Sequence, residues 1–250
     1  MQKTFSLLLK MLCMAVLLRQ PNFAFAEIHG TVTGTTNYIW RMYSKSNNGP
    51  AIQGNLDYQH SSGVYFGASA SNFNIGKNEQ EEDLVYPDSA QLEITPYVGW
   101  SYKFADDWRV DLQYSHYFYD GKIFSQNADY DEFYLFLHYK GLLSAQASYV
   151  EDLYGNAGDA FFYELTGRYP ITDFLEFSST FGYGQTRSVL DADYPYWNIG
   201  LTGRYKFIAL DLRYHDASEI YYLDELGGNI SPDHPETLKA SVVFSISVGF

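Results

Sequence analysis

His116 is the residue in this chain with the most obvious chemical potential, because it stands beside Ser115. Hydrolysis by a serine needs a hydroxyl, a histidine base within hydrogen-bond reach, and a third group that orients the base. The surrounding run alternates, with Trp108, Val110, Leu112, Tyr114 and Phe118 set against Arg109, Asp111, Gln113 and Ser115. Successive side chains of a strand leave on opposite faces, so Ser115 and His116 diverge. At the height of His116 the adjoining segments offer Ala90, Leu92, Phe133 and Leu135, none of them a nucleophile. His116 therefore reads as a polar residue at the margin of an apolar face.

Other chemistries fare no better. A hydrolase built on paired acids and a histidine has His215 with Asp216, and Asp191 with Asp193, as its nearest candidates. Acids are plentiful and unpatterned in both stretches, so these read as solvated loop charge. Asp152 to Asp159 carries several oxygens and a glycine but lacks the spacing of a calcium loop. No Cys or His pair has metal-ligand spacing, and no glycine-rich phosphate loop is present. The expectation is a protein without catalytic residues, metal or cofactor.

What the sequence does repeat is period-2 alternation. Twelve strand-like segments can be marked, at roughly 28–41, 51–60, 64–73, 90–104, 108–119, 130–140, 142–154, 160–169, 174–186, 195–206, 208–216 and 237–250. In the last, Leu238, Ala240, Val242, Phe244, Ile246, Val248 and Phe250 alternate with mostly small or polar residues up to the C-terminal aromatic. The connections are sorted. Longer ones at 42–50, 74–89, 120–129, 155–159, 187–194 and 217–236 alternate with tight ones at 61–63, 105–107, 141, 170–173 and 207. Long external loops alternating with short periplasmic turns is the plan of an up-and-down barrel in the outer membrane. A soluble periplasmic β protein, the alternative, has no reason to sort its connections. Trp100, Phe104, Trp108, Tyr169, Tyr205 and Phe250 lie near the short turns. Tyr38, Trp40, Tyr114, Phe118, Phe161, Tyr183 and Trp197 lie near the long loops, so the two sets read as interfacial girdles.

Composition agrees. Residues 1–26 read as a cleaved signal peptide, with Lys3 at the start, an apolar run to Leu18 and an Ala24-Phe25-Ala26 cleavage site, leaving 27–250 as the barrel. Cys13, the only cysteine, would leave with the leader. The chain holds 30 acidic residues against 16 basic ones, which argues against nucleic acid as a partner. The mature part contains no apolar run long enough for a transmembrane helix.

The stretch Asn37-Tyr-Ile-Trp-Arg41, followed by Pro50-Ala-Ile-Gln-Gly54 and Ser62-Gly-Val-Tyr65, resembles the start of a proteobacterial porin family. That family comprises conserved hypothetical outer-membrane barrels, often labelled TorF-type. The likeness implies an outer-membrane barrel with a channel, and no catalytic residue. Within such a barrel, parity turns Arg41, Asp57, Glu93, Arg109, Asp111, Arg168, Arg204 and Arg213 into the lumen. Phe250 would sit at the periplasmic boundary as an assembly signal. The function expected is a narrow channel for small polar solutes. A cation preference is expected from the acidic loops 74–89 and 217–236, because charge at a mouth focuses counter-ions. The alternative is a closed structural or surface-interaction barrel working through those loops. The expected partners are outer-membrane lipid and lipopolysaccharide, the barrel-assembly machinery and small polar solutes.

Overall fold

The computed structural model describes residues 27–74, 89–123, 126–190, 192–217 and 240–250. The expected signal peptide and most of the two acidic loops lie outside them. The strands are β1 (Glu27–Thr35), β2 (Ile39–Trp40), β3 (Tyr43–Ser44), β4 (Ala51–Gln59), β5 (Val64–Asn72), β6 (Leu92–Ala105), β7 (Trp108–Tyr119) and β8 (Tyr130–Tyr139). There follow β9 (Leu143–Glu151), β10 (Asp159–Pro170), β11 (Leu175–Gln185), β12 (Tyr194–Tyr205), β13 (Ile208–Ala217) and β14 (Ser241–Gly249). All except β2 and β3 join one closed antiparallel barrel in sequence order. β1 completes the ring by pairing with β4 on one side and β14 on the other. Closure matters because lipid offers no partner to a free sheet edge.

Alternation sorts side chains between the two faces. Val32, Leu56, Leu112, Leu165, Leu201 and Leu212 point outward and are exposed, as a band meeting lipid should be. The opposite parity carries Thr, Ser, Asn, Gln, Tyr and most of the charges. Tight turns join β4–β5, β6–β7, β8–β9, β10–β11 and β12–β13, all at one end. In the β8–β9 turn Lys140 and Gly141 both take positive φ, and the Leu142 amide donates to the Tyr139 carbonyl at 2.9 Å. That backbone twist suits a two-residue hairpin.

One expected strand is wrong in its second half. The segment 28–41 is extended only to Thr35; from Thr36 the chain leaves the wall and folds inward as the β2–β3 hairpin. Trp40 pairs with Tyr43, and the two tip residues Arg41 and Met42 have φ of 48° and 69°. Tyr38 and Trp40 therefore belong to no outer girdle. Trp40 packs instead against Tyr117 and Phe162 inside the barrel. The buried core sits there, in the long-loop half, where Met42, Tyr43, Tyr117, Tyr130, Phe162 and Tyr194 close around the hairpin.

The hairpin-filled lumen as candidate functional site

The hairpin is first held to itself. Asn37 Oδ1 accepts from Ser44 Oγ (2.6 Å) and Ser46 Oγ (3.1 Å), and the Tyr38 amide donates to Ser46 Oγ at 2.8 Å. The last of these satisfies a backbone amide that has left the wall, while the Asn37 contacts tie the two arms together through side chains.

It is then pinned to the wall by two buried ion pairs. Arg41 Nη2 donates to Glu132 Oε1 on β8 at 2.5 Å and to Ser148 on β9 at 2.9 Å. Lys45 Nζ donates to Glu93 Oε2 on β6 at 2.5 Å. Glu93 also accepts from Tyr38 and Tyr119, each at 2.8 Å, so both of its oxygens are occupied. Glu132 likewise accepts from Tyr134 at 2.6 Å. Aromatic rings complete the seat. The Arg41 guanidinium lies 3.7 Å from the Phe162 ring centroid, and the Lys45 ammonium lies 4.5 Å from that of Trp40. Each of these four charged side chains is almost wholly withdrawn from solvent. Desolvated charges are tolerated only when they are paired and hydrogen-bonded, and these are.

Beneath the tip lies a cavity of about 310 Å³, lined by Trp40, Tyr134, Gln146, Glu164, Tyr196 and His215 among others. Further toward the short-turn end the lumen wall is a ring of charges that largely satisfy one another. Arg109 faces Asp111 at 3.3 Å, Arg204 faces Glu176 at 3.3 Å, and Arg213 reaches Asp211 at 2.9 Å. Arg213 also donates to Asn198 and Ser178. Arg168 donates to Ser144 at 2.9 Å.

Of the eight residues expected to line the lumen, seven have inward parity on barrel strands. Asp57, Arg109, Asp111, Arg168, Arg204 and Arg213 stand on the wall below the hairpin. Glu93 stands on the wall but is buried under it. Arg41 is a correction: it is inside the barrel, at the hairpin tip and not on a wall strand. Parity missed Glu132 and Lys45, although they hold the hairpin. Glu132 shares its face with Tyr130, Tyr134 and Phe136, which hides the alternation of β8, and Lys45 falls in a stretch that reads as a simple loop.

One outward site also differs from expectation. His116 faces outward, but the residue opposite it is Asp131, neither Phe133 nor Leu135. Asp131 Oδ1 bonds His116 Nδ1 at 2.5 Å and accepts from Tyr114 at 2.6 Å. Phe250 extends β14 by one exchanged pair of backbone bonds with Gly30, both 2.9 Å. Its ring covers Gly30, where a Cβ would lie 2.3 Å from the ring.

A closed twelve-stranded antiparallel barrel with an apolar outer band and tight turns at one end is an outer-membrane barrel of porin-like architecture. Among solved structures it is similar to the KdgM porin, with a TM-score of 0.52 and 9% identity over 89% of this chain and 98% of that one. It is similar also to the NanC porin, with a TM-score of 0.50 and 14% identity over 88% and 98%. The likeness is one of fold. By sequence the chain belongs to the Gcw_chp family, described as bacterial proteins of unknown function, whose profile matches residues 23–244. The TorF-type label finds no support in these matches. No curated protein sequence matches the chain.

Proposed function

We propose that this protein is a porin-like channel of the outer membrane for small polar solutes, narrowed in its outer half by the Tyr38–Asn48 hairpin. The observation that carries the reading is the contrast between the two faces of the wall. The outside is apolar, whereas the inside is polar to the short-turn rim and holds a cavity directly beneath the hairpin tip. A barrel that is only a membrane anchor has no use for such a lining. Twelve strands lie between the side-chain-filled interior of eight and the aqueous channel of sixteen. Passage then depends on individual side chains, and the hairpin is the largest obstacle.

The cation preference rests on the acidic loops alone. The described lumen does not carry it, since its carboxylates are mostly paired and Lys103 and Arg168 have no acidic partner among the described residues. The assigned partners are outer-membrane lipid and lipopolysaccharide outside, small polar solutes inside, and assembly machinery that reads the Phe250 end. The reading gives the chain no catalytic role.

Conductance in planar bilayers tests it. Wild-type protein should open in small steps, and a variant with residues 38–48 replaced by a short Gly-Ser linker should conduct several-fold more. Complete burial of both hairpin ion pairs favours a second reading, a non-conducting barrel that works through its external loops. If the linker variant folds, as judged by heat-modifiable gel mobility, yet stays silent at every salt concentration, the channel reading fails and the second stands.

A further inference from the structure

The short-turn mouth of the lumen gathers positive charge in an acidic protein. A cavity of about 420 Å³ opens there between the β6–β7 and β8–β9 turns, and Lys103, Arg109, Lys140 and Arg168 line it. These are four of the eleven Lys and Arg among the described residues. The acids at the site are Asp106 and Asp107 in the turn, with Asp111 behind them. Asp107 is engaged by Lys140 at 3.4 Å, and Asp111 by both Arg109 at 3.3 Å and His138 at 2.8 Å. Lys103 and Arg168 have no acidic partner among the described residues. Arg168 spends one nitrogen on Ser144, which also bonds His138 Nδ1 at 2.9 Å. This contact fixes the guanidinium at the cavity wall and leaves its other donors for a ligand.

The geometry points to a binding site for a small polyanion bearing carboxylate or phosphate groups, with Lys103 and Arg168 as its principal contacts and Arg109 beside them. A guanidinium presents a planar fork that matches two oxygens of either group, and a lysine adds a mobile point charge. Cations spread over β6, β7 and β10 suit a ligand with more than one charged group. The volume lies in the range of small-ligand pockets, about 300–1,000 Å³. Lys103 and Arg168, the two of these cations without an acidic partner among the described residues, gain their counter-charge only when an anion arrives, and the mouth lies on the side where the turns are short, facing the periplasm. Recognition here does not require conduction, so it stands or falls separately from the channel reading.

Isothermal titration calorimetry on the full barrel in detergent at low salt, with citrate and inorganic phosphate as probes, tests the site. One site per barrel is expected, weakening as ionic strength rises. Citrate binding more tightly would mark a polycarboxylate site, and phosphate binding more tightly a phosphate site. Lys103→Gln with Arg168→Gln should weaken the preferred probe at least tenfold. Lys206→Gln, in a different short turn, should leave it unchanged. Arg168→Lys, which keeps the charge and loses the fork, should fall between. If the double variant does not fold, Lys103→Gln alone serves, since Lys103 is exposed. Failure of wild type to bind either probe, or equal binding by the charge-removed variants, would overturn the assignment.

Discussion

Glu132 and Glu93 hold the hairpin as single carboxylates serving several donors, and this fixes how their loss must read out. Glu132→Gln leaves the Arg41 guanidinium buried without a counter-charge, a change that costs about 3–5 kcal/mol when one partner of such a pair is removed. It should appear as a lower midpoint of urea unfolding in lipid vesicles. Replacing both partners, Arg41→Met with Glu132→Leu, should recover most of the loss, because an apolar pair of similar volume has no charge to desolvate. Simply additive losses would show that the two residues do not act as a pair. At this scale the sequence was partly legible. Inward parity found Glu93 because β6 alternates cleanly, whereas Tyr134 and Phe136 make β8 apolar on both faces and conceal Glu132. Lys45 carried no signal, since its role exists only once the chain has turned into the lumen.

Among the elements, most wall strands were legible because lipid outside and a polar lumen inside impose alternation over their length, β8 with its aromatic inner face being the least tidy. The hairpin was not. Ile28, Gly30, Val32 and Gly34 continue in phase into Tyr38 and Trp40, so the pattern runs across the point where the backbone leaves the wall. The hairpin tip gives no warning either. Two-residue turns of this hand favour Asn-Gly, yet here Arg41 and Met42 occupy the left-handed region, at about 1–2 kcal/mol each. Strain of that size persists only where the surroundings over-determine it, and the buried pairs do so. The joint between β1 and β14 offers a sharper test. Gly30→Leu should displace the Phe250 ring and lower the heat-modifiable, folded fraction recovered from vesicles. Gly54→Ala, an outward glycine on β4 with nothing within 4 Å of its Cβ position, should not. Equal recovery of both variants would remove Phe250 from any role in closure.

Taken as a whole, the molecule is an apolar belt around a charged interior, and the two faces should answer the same substitution differently. Leu165→Arg, midway along β10 and facing lipid, should cost about 2–4 kcal/mol in folding into vesicles. Thr166→Arg, one residue on and facing the lumen, should cost much less, and equal costs would contradict the assignment of faces. The sorted loop lengths made this architecture readable from sequence, because the membrane separates the two ends of every strand. The interior contents were not readable, because an inward hairpin uses the same residue types as an external loop. The joint that closes the belt is also the shortest. β1 meets β14 over Thr31–Thr35, against Glu27–Thr35 with β4. Its upper end is tied by Thr36 to Phe244 at 3.0 Å and by Ser245 to Thr35 at 2.9 Å, while Thr35 Oγ1 donates to the Asn37 carbonyl at the foot of the hairpin. The last stitch of the wall is thus the stalk of its own stopper. Sealing the ring commits the hairpin to the inside, and any sideways parting of β1 from β14 would pull the stopper by its root.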